Sequence, residues 1–134
     1  MPWIYENRTK RFYHDSLKKE WKAYSGKKGF VNNSAFQCVK FTGPIPTGRY
    51  RIGKHKKHNI GWGMRLTPIG INNKEMVKIC GRDNFLIHGD NTKGNESASK
   101  GCIILNKKER LEIVKSGDSI LIVKGPALAD LIGI

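Results

Sequence analysis

The stretch that decides the fold runs from residue 85 to residue 105 and has the sequence FLIHGDNTKGNESASKGCIIL. Its two ends are short apolar runs that predict two buried strands, and between them lies a polar loop rich in Asn, Gly and Ser. The first run ends in His88, and the second follows Cys102. A cysteine and a histidine at the mouths of two buried strands can form a nucleophile and its base.

Each of these two residues also has a purely structural interpretation. A free cysteine is most often a small buried hydrophobe, and a buried polar side chain such as histidine is usually a hydrogen-bonded core residue. Gly89 and Gly101 adjoin the pair, and a glycine at such a position serves either a close backbone approach or a positive φ. The residue types by themselves leave these interpretations open.

A chain of 134 residues fits one domain. We predict that this domain spans residues 1–124 and that residues 125–134 form either a short helix or a loose tail. The sequence has no apolar stretch close to the roughly 18 residues of a membrane span. Its N-terminus lacks the basic-then-apolar order of a secretory signal peptide. Three cysteines, far apart in sequence, leave at least one thiol unpaired in a monomer.

The formal net charge is +14, from 25 lysines and arginines against 11 aspartates and glutamates. Such an excess favours attraction to polyanions, and nucleic acid and the bacterial cell wall are both polyanions. A merely solubilising surface is the third interpretation. Two histidines lie in the basic segment Lys54–His58, which we predict to be a loop. Because lysines repel a cation and no cysteine or carboxylate is near in sequence, we predict no metal and no cofactor.

Short alternating or apolar runs predict strands along most of the chain. One helix is predicted after the second apolar run, because Asn106 and Glu109 form a capping-box pattern and Gly117 suits a helix C-terminus. Many short strands with one helix predict a mainly β fold, a barrel or sandwich of short mixed strands. The predicted apolar face of the helix consists of Leu111, Ile113 and Val114. The predicted strands are Trp3–Tyr5, Arg11–His14, Trp21–Tyr24, Phe36–Phe41, Arg49–Ile52, Trp62–Leu66, Met76–Cys80 and Asp118–Val123.

Two motifs occur together in this chain, and the combination is more specific for a protein family than either motif alone. The first is His88-Gly89 with Ser99-x-Gly101-Cys102-Ile103, and the second is Gly43-Pro44-Ile45-Pro46-x-Gly48. With them the chain resembles the L,D-transpeptidases of bacterial peptidoglycan, the YkuD-like family. The resemblance is to the branch of effectors that type VI secretion delivers into competitor bacteria. It covers roughly residues 1–124 and implies the same mainly β fold. Further matching positions are Trp3-x-Tyr5, Tyr24-Ser25-Gly26, Asn32-Asn33, Tyr50-x-Ile52-Gly53, Gly81-Arg82 and Arg110.

The chain departs from the commonest form of that family at two positions. Lys100 stands where many members have a second histidine, and Ile104 stands where many have an arginine. Arg110 matches the arginine of the effector branch. The resemblance implies that Arg110 supplies the positive charge that is missing at residue 104.

The residues and the resemblance together predict a mechanism. Cys102 attacks as a thiolate, and His88 takes its proton and later returns one to the leaving amine. Backbone N–H groups of Lys100, Gly101 and Cys102 are predicted to form an oxyanion hole. Ser99 is predicted to shape the loop or to bind substrate. The alternative is a purely structural role, in which its hydroxyl bonds to the backbone of the loop.

Charged residues around the motif are the predicted substrate contacts. Arg82 and Arg110 can each bind a carboxylate through two parallel hydrogen bonds. For each of them, a solvent-exposed arginine with no role in binding is an equally good interpretation. Asp90 either orients His88 or is a solvated loop carboxylate. With Ser99, Lys100 and Gly89, these residues make up the predicted substrate-binding set.

The resemblance implies attack on the tetrapeptide stems of peptidoglycan, with D-alanine release or D-amino acid exchange. It also implies synthesis in the cytoplasm and action in the periplasm of a target bacterium. The implied partners are type VI secretion components and an immunity protein. Nucleic-acid binding and membrane insertion are not expected. Two other classes stay open: a non-catalytic wall-binding domain, and a nucleic-acid-binding module suggested by the charge and by aromatics such as Trp3, Trp21 and Trp62. The second has no recognisable binding motif in the sequence.

Overall fold

A computed structural model describes residues 2–25, 45–58, 61–70, 85–89 and 102–125 of the chain. These residues form nine strands and one helix, and all nine strands belong to one sheet. In chain order they are β1 (Trp3–Glu6), β2 (Arg11–His14), β3 (Lys19–Lys22), β4 (Tyr24–Ser25), β5 (Gly48–His58), β6 (Gly61–Pro68), β7 (Phe85–His88), β8 (Ile103–Ile104), α1 (Lys107–Ser116) and β9 (Ile120–Lys124).

The order of the strands shows that the sheet curls back on itself. Neighbours follow the order β3-β2-β1-β9-β5-β6-β7-β8-β4. Its two outer members, β3 and β4, are separated in sequence by Ala23 alone, and consecutive Cα atoms lie only about 3.8 Å apart. The two edges of the sheet must therefore approach each other, and the result is a nearly closed, barrel-like sheet. This confirms the predicted mainly β fold with one helix.

The core fills the inside of this curled sheet with aromatic and branched side chains. Strand β1 shows the alternation that produces it, since Trp3 and Tyr5 are fully buried while Ile4 and Glu6 are only partly so. Trp3 stacks on Trp21 with ring centroids 5.3 Å apart and lies 5.6 Å from the ring of Phe12. This aromatic packing joins β1, β2 and β3 into one face.

The structure differs most from the predicted strands and loops in two places. The segment Lys54–His58 is not a loop, because β5 continues through it to His58 and pairs antiparallel with β6. A register shift between Ile52 and His55 re-aims the strand, and the exposed lysines keep their charged ends in water. The predicted strand Trp21–Tyr24 is divided at Ala23, where the chain passes from the partner of β2 to the partner of β8.

The helix α1 begins and ends where the sequence predicts. The Asn106 side chain accepts a hydrogen bond from the Glu109 backbone N–H at 2.8 Å, and Glu109 accepts one from the Asn106 N–H at 3.1 Å. Gly117 ends the helix with a φ of 76°, in the left-handed region that favours glycine. The predicted capping box and C-terminal glycine are confirmed.

The predicted apolar face of α1 was wrong in part. Ile113 is buried, but Leu111 and Val114 are 43% and 50% exposed. The second buried residue of the helix is Arg110, only 6% exposed. Positions 110 and 113 are three apart and share a helix face, so this helix packs an arginine against the barrel.

The predicted strands Phe36–Phe41 and Met76–Cys80 and the tail after Gly125 lie outside the described residues. The domain bounds stay a prediction. Within the described ranges, the structure contains no helix long and apolar enough to cross a membrane.

Candidate active site

Two parallel strands carry the predicted nucleophile and base. Strands β7 and β8 pair in parallel, with Ile87 opposite Ile103 and His88 opposite Ile104. Cys102 directly precedes β8, two positions before the partner of His88. Since side chains alternate along a strand, Cys102 and His88 lie on the same face of neighbouring strands. A step of two residues along one strand and across to the next puts their Cα atoms roughly 8 Å apart.

Both residues are buried to the same extent, each with 7% of its surface exposed. The Nδ1 atom of His88 lies 2.8 Å from the carbonyl oxygen of Gly89. A carbonyl oxygen can only accept a hydrogen bond, so Nδ1 carries the proton in the neutral ring. The basic lone pair is then on Nε2, and that atom is the one able to take a proton from a nucleophile.

Arg110 connects the helix to the ends of both strands. Its Nη1 donates to the carbonyl of Leu105 at 2.8 Å, and the Leu105 N–H donates to the carbonyl of His88 at 3.0 Å. The guanidinium thus braces the backbone just beyond β7 and β8. A Cβ atom placed on Gly89 would lie 2.9 Å from the same Nη1. Of the two interpretations of Gly89, close approach is the correct one, because its φ is not in the left-handed region.

Arg110 is also a local source of positive charge. Within the described part of the chain, no carboxylate lies within 4 Å of its guanidinium. Burial lowers the pKa of Arg110 from its ordinary value, but an arginine keeps its charge at neutral pH. A buried cation beside the His88–Gly89 turn makes this end of the site attractive to an anion.

A comparison with protein families identifies the chain. The family model of the Tlde1 domain matches residues 19–121, more than half of the sequence. The chain belongs to the Tlde1 family. Tlde1 domains are antibacterial type VI secretion effectors that modify peptidoglycan, which confirms the effector branch of the predicted resemblance. Searches of curated proteins and of solved structures found no match.

The matched region of the Tlde1 domain contains a residue that the sequence analysis missed. Gly63 on β6 pairs with His88 on β7. A Cβ atom on Gly63 would lie 2.3 Å from the carbonyl oxygen of Ile87 and 3.2 Å from the Cβ of His88. Only glycine lets β7 approach β6 this closely, so Gly63 sets the position of the histidine. An isolated glycine inside a predicted strand was the signal that could have found it.

The Tlde1 domain also has a pocket beside Arg110 that the sequence analysis missed. It measures about 240 Å³ and lies between the β5–β6 hairpin and the start of α1. The rings of His55 and Trp62 stack with centroids 5.5 Å apart, and Arg110 Nε donates to His55 Nε2 at 3.4 Å. The available signal was a tryptophan four residues after the basic segment Lys54–His58.

The remaining predicted site residues lie outside the described residues, and their roles stay predictions: Arg82, Asp90, Ser99, Lys100 and Gly101. Within the described ranges, no group of three or more His, Cys, Asp or Glu side chains is arranged to hold a metal ion.

Proposed function

We propose that this Tlde1 domain is a cysteine acyltransferase that acts on the tetrapeptide stems of peptidoglycan, as an L,D-transpeptidase and L,D-carboxypeptidase. The observation that carries the proposal is the parallel register of β7 and β8, from which strand alternation puts His88 and Cys102, the residue before β8, on one face. The motif His88-Gly89 with Ser99-x-Gly101-Cys102 supplies the reaction class by resemblance, and the family supplies peptidoglycan as the target.

The first half of the reaction forms a thioester. The Cys102 thiol passes its proton to Nε2 of His88, because a free thiol with a pKa of about 8.5 is mostly protonated at neutral pH. The thiolate attacks the carbonyl carbon of the third stem residue. Backbone N–H groups at Lys100, Gly101 and Cys102 stabilise the oxyanion by roughly 3 kcal/mol for each good donor. As the C–N bond breaks, His88 gives its proton to the amine of the departing D-alanine.

The second half consumes the thioester. Neutral His88 removes a proton from water or from the amine of a D-amino acid, which attacks the thioester carbonyl. The C–S bond breaks, and the thiolate recovers its proton from the imidazolium. Water gives a tripeptide stem, and a D-amino acid gives an exchanged tetrapeptide. Both products lack the terminal D-alanine of the original tetrapeptide.

Gly89 and Arg110 have supporting roles in this mechanism. The Gly89 carbonyl fixes the tautomer of His88, and the guanidinium of Arg110 holds the backbone around it. Because the buried guanidinium is committed in part to Leu105 and His55, we assign Arg110 a positioning role. The predicted contact between Arg110 and a substrate carboxylate would use the other N–H groups of the guanidinium, those that are not bonded to Leu105 or His55.

The test is incubation of the purified protein with tetrapeptide muropeptides, with and without added D-methionine, followed by mass spectrometry. We expect tripeptide and free D-alanine without the additive, and a stem that ends in D-methionine with it. Cys102→Ala should give neither product. Cys38→Ala and Cys80→Ala are the matched controls and should retain turnover. A folded wild-type protein that leaves the tetrapeptide intact would contradict the proposed reaction.

A second test addresses the place of action. We expect the domain to be harmless when expressed in the cytoplasm and toxic when an added secretory signal exports it, because stem peptides lie outside the inner membrane. Cys102→Ala should abolish the toxicity. A nucleic-acid binder would instead be toxic from the cytoplasm, and a non-catalytic wall binder would be equally toxic as Cys102→Ala. Co-expression of an exported immunity protein from the same locus should protect the cells.

A further inference from the structure

Two rows of residues cross the face of the sheet that carries His88 and Cys102. In the first row, Gly63 on β6 pairs with His88, and Lys56 on β5 pairs with Gly63. Directly opposed residues of neighbouring strands have their side chains on the same face of the sheet. Lys56 and His88 therefore share one face, two strands or roughly 10 Å apart. Only a glycine stands between them in the row.

The second row carries Arg65 and Cys102. Arg65 on β6 pairs with Leu86 on β7. Because Ile87 pairs with Ile103 in the parallel pair of β7 and β8, the residues before them, Leu86 and Cys102, are also neighbours. Arg65 therefore lies on the face of Cys102, again two strands or roughly 10 Å away. Each of the two proposed reactive residues thus has one cation in its own row, and both cations belong to the β5–β6 hairpin.

The two rows change from buried to exposed between β7 and β5. Leu86, His88 and Cys102 are each 7% exposed, whereas Lys56 and Arg65 are both exposed. The cations thus stand at the rim of a buried reactive pair, with their charged ends in water. The described members of the two rows include no carboxylate, so the charge of the rim favours an anion.

The spacing within the rows limits how far this anion lies from the reacting carbonyl. The attacked carbon is about 3 Å from the thiolate sulfur at the start of the reaction. One further residue of an extended substrate covers about 3.5 Å, and a hydrogen bond to a cation covers about 2.9 Å. Together these lengths match the roughly 10 Å between Cys102 and Arg65. A carboxylate one residue beyond the attacked carbonyl therefore fits, and the terminal D-alanine of the stem has one.

We propose that Lys56 and Arg65 bind the terminal carboxylate of the donor stem, so that the enzyme selects stems with a free C-terminal D-alanine. The proposal rests on the proposed function, because it names the group of the substrate that these two side chains recognise. It assigns selectivity to the exposed face of the β5–β6 hairpin, and it leaves acyl transfer with His88 and Cys102.

Binding is measured by calorimetry with the Cys102→Ala protein, so that the peptide is not consumed. The ligands are a synthetic tetrapeptide stem and the same peptide with its terminal carboxylate amidated. We expect the amidated peptide to bind about tenfold more weakly, a loss of about 1.4 kcal/mol. Lys56→Gln and Arg65→Gln should each weaken binding of the free peptide about three- to tenfold, as expected for one charge-assisted contact at an exposed position. The doubly substituted protein should bind both peptides equally.

Lys57→Gln is the matched control, because Lys57 is the exposed neighbour of Lys56 and carries the same charge. It pairs with Trp62, and strand alternation puts it on the opposite face of the sheet. We expect Lys57→Gln to retain both the affinity for the free peptide and the preference over the amidated one. Thermal unfolding of each variant checks that these substitutions at exposed positions leave the fold intact.

The proposal is overturned if the parent protein binds the free and the amidated peptide equally, or binds neither. It is also overturned if Lys57→Gln weakens binding as much as Lys56→Gln does, since that result indicates general attraction to a highly basic protein. Failure of the proposed function is distinguishable, because it shows as absent turnover in the protein that keeps Cys102.

Discussion

The molecule has two buried histidines that each end a strand, and they differ in what their ring nitrogens contact. His14 is the last residue of β2 and His88 is the last residue of β7. Their exposed fractions, 2% and 7%, are nearly the same. Both follow two apolar residues in sequence. Neither burial nor the two preceding apolar residues separate them, so the structural difference lies in the partners of their ring nitrogens.

Both ring nitrogens of His14 are used to hold the fold. Nδ1 accepts a hydrogen bond from the Leu17 N–H at 3.2 Å, so the proton is on Nε2, which donates to Asp118 at 2.5 Å. The ring also packs edge-on against Trp3, with centroids 4.9 Å apart. This histidine connects the turn after β2 to the segment before β9. It has no ring nitrogen left for proton transfer.

His88 has a different arrangement. Its Nδ1 donates to the carbonyl of the next residue, a contact that orients the ring without joining distant elements. With the proton on Nδ1, Nε2 is the basic atom of the neutral ring. The comparison teaches that equal burial hides a difference in use: both nitrogens of His14 join distant elements, whereas Nδ1 of His88 is held by its own neighbour, which suits the base role that we propose for His88.

The largest expected effect is on activity, and it separates the two histidines directly. His88→Ala should lower stem turnover about 10²- to 10⁴-fold, the usual contribution of a general acid–base group. His14→Ala should leave turnover per folded molecule within a few-fold of wild type. Turnover is measured with tetrapeptide muropeptides after the folded fraction of each variant has been determined by circular dichroism.

The stabilities of the same two variants should change in the opposite order. His14→Ala leaves Asp118 and the Leu17 N–H without their partner, which costs about 1–3 kcal/mol of the free energy of unfolding. His88→Ala should cost less, because the Nδ1 hydrogen bond of His88 is to the carbonyl of its own neighbour, Gly89, and joins no distant elements. Urea denaturation gives both values. Equal activity losses in the two variants would remove the distinction drawn between them.

An intermediate effect is expected where β6 sets the position of His88. Gly63→Ala brings a methyl group against the β7 backbone, and we expect a loss of about 1–3 kcal/mol of stability together with reduced turnover. Gly53→Ala is the matched control on the partner strand, because its nearest contact would be an ordinary 3.4 Å to the Arg65 carbonyl. If both variants behave as wild type, the close approach of β6 does not govern the histidine.

The smallest expected effect concerns the third histidine, His55. Burial, and after it the charges of Arg110, Lys107 and His58, lower the pKa of His55 below its ordinary 6.5. The unfolded chain then binds this proton more readily than the folded one. The stabilising contribution is therefore complete above about pH 6.5 and is lost as the pH falls through the folded pKa.

His55→Gln removes this titration and should make the free energy of unfolding depend less on pH between about pH 7.5 and pH 5. Urea denaturation at several pH values, with wild type beside the variant, measures the difference. A steeper pH dependence in His55→Gln would show that the sign of the pKa shift is wrong.

Local rules predicted the elements that depend on neighbours in sequence. The capping box of Asn106 and Glu109 and the glycine that ends the helix are satisfied within a few residues, so the sequence contains all their determinants. The buried apolar strands of the 85–105 stretch are of the same kind. The basic segment Lys54–His58 was mispredicted, because its strand conformation comes from pairing with β6 and not from its own composition.

The sequence by itself predicted the class of fold, which the structure confirms, and the resemblance of one motif named the two residues on which the proposed chemistry depends; motif spacing and apolar periodicity are both local properties. Only the tertiary structure decided three other matters: that His14 is structural, that Gly63 and Gly89 permit close approaches, and that Arg110 lies inward on a helix whose leucine and valine lie outward. Each of these depends on which distant residue becomes a neighbour. Pairing between strands far apart in the chain fixes those neighbours, and the physical cause is the register of the curled sheet.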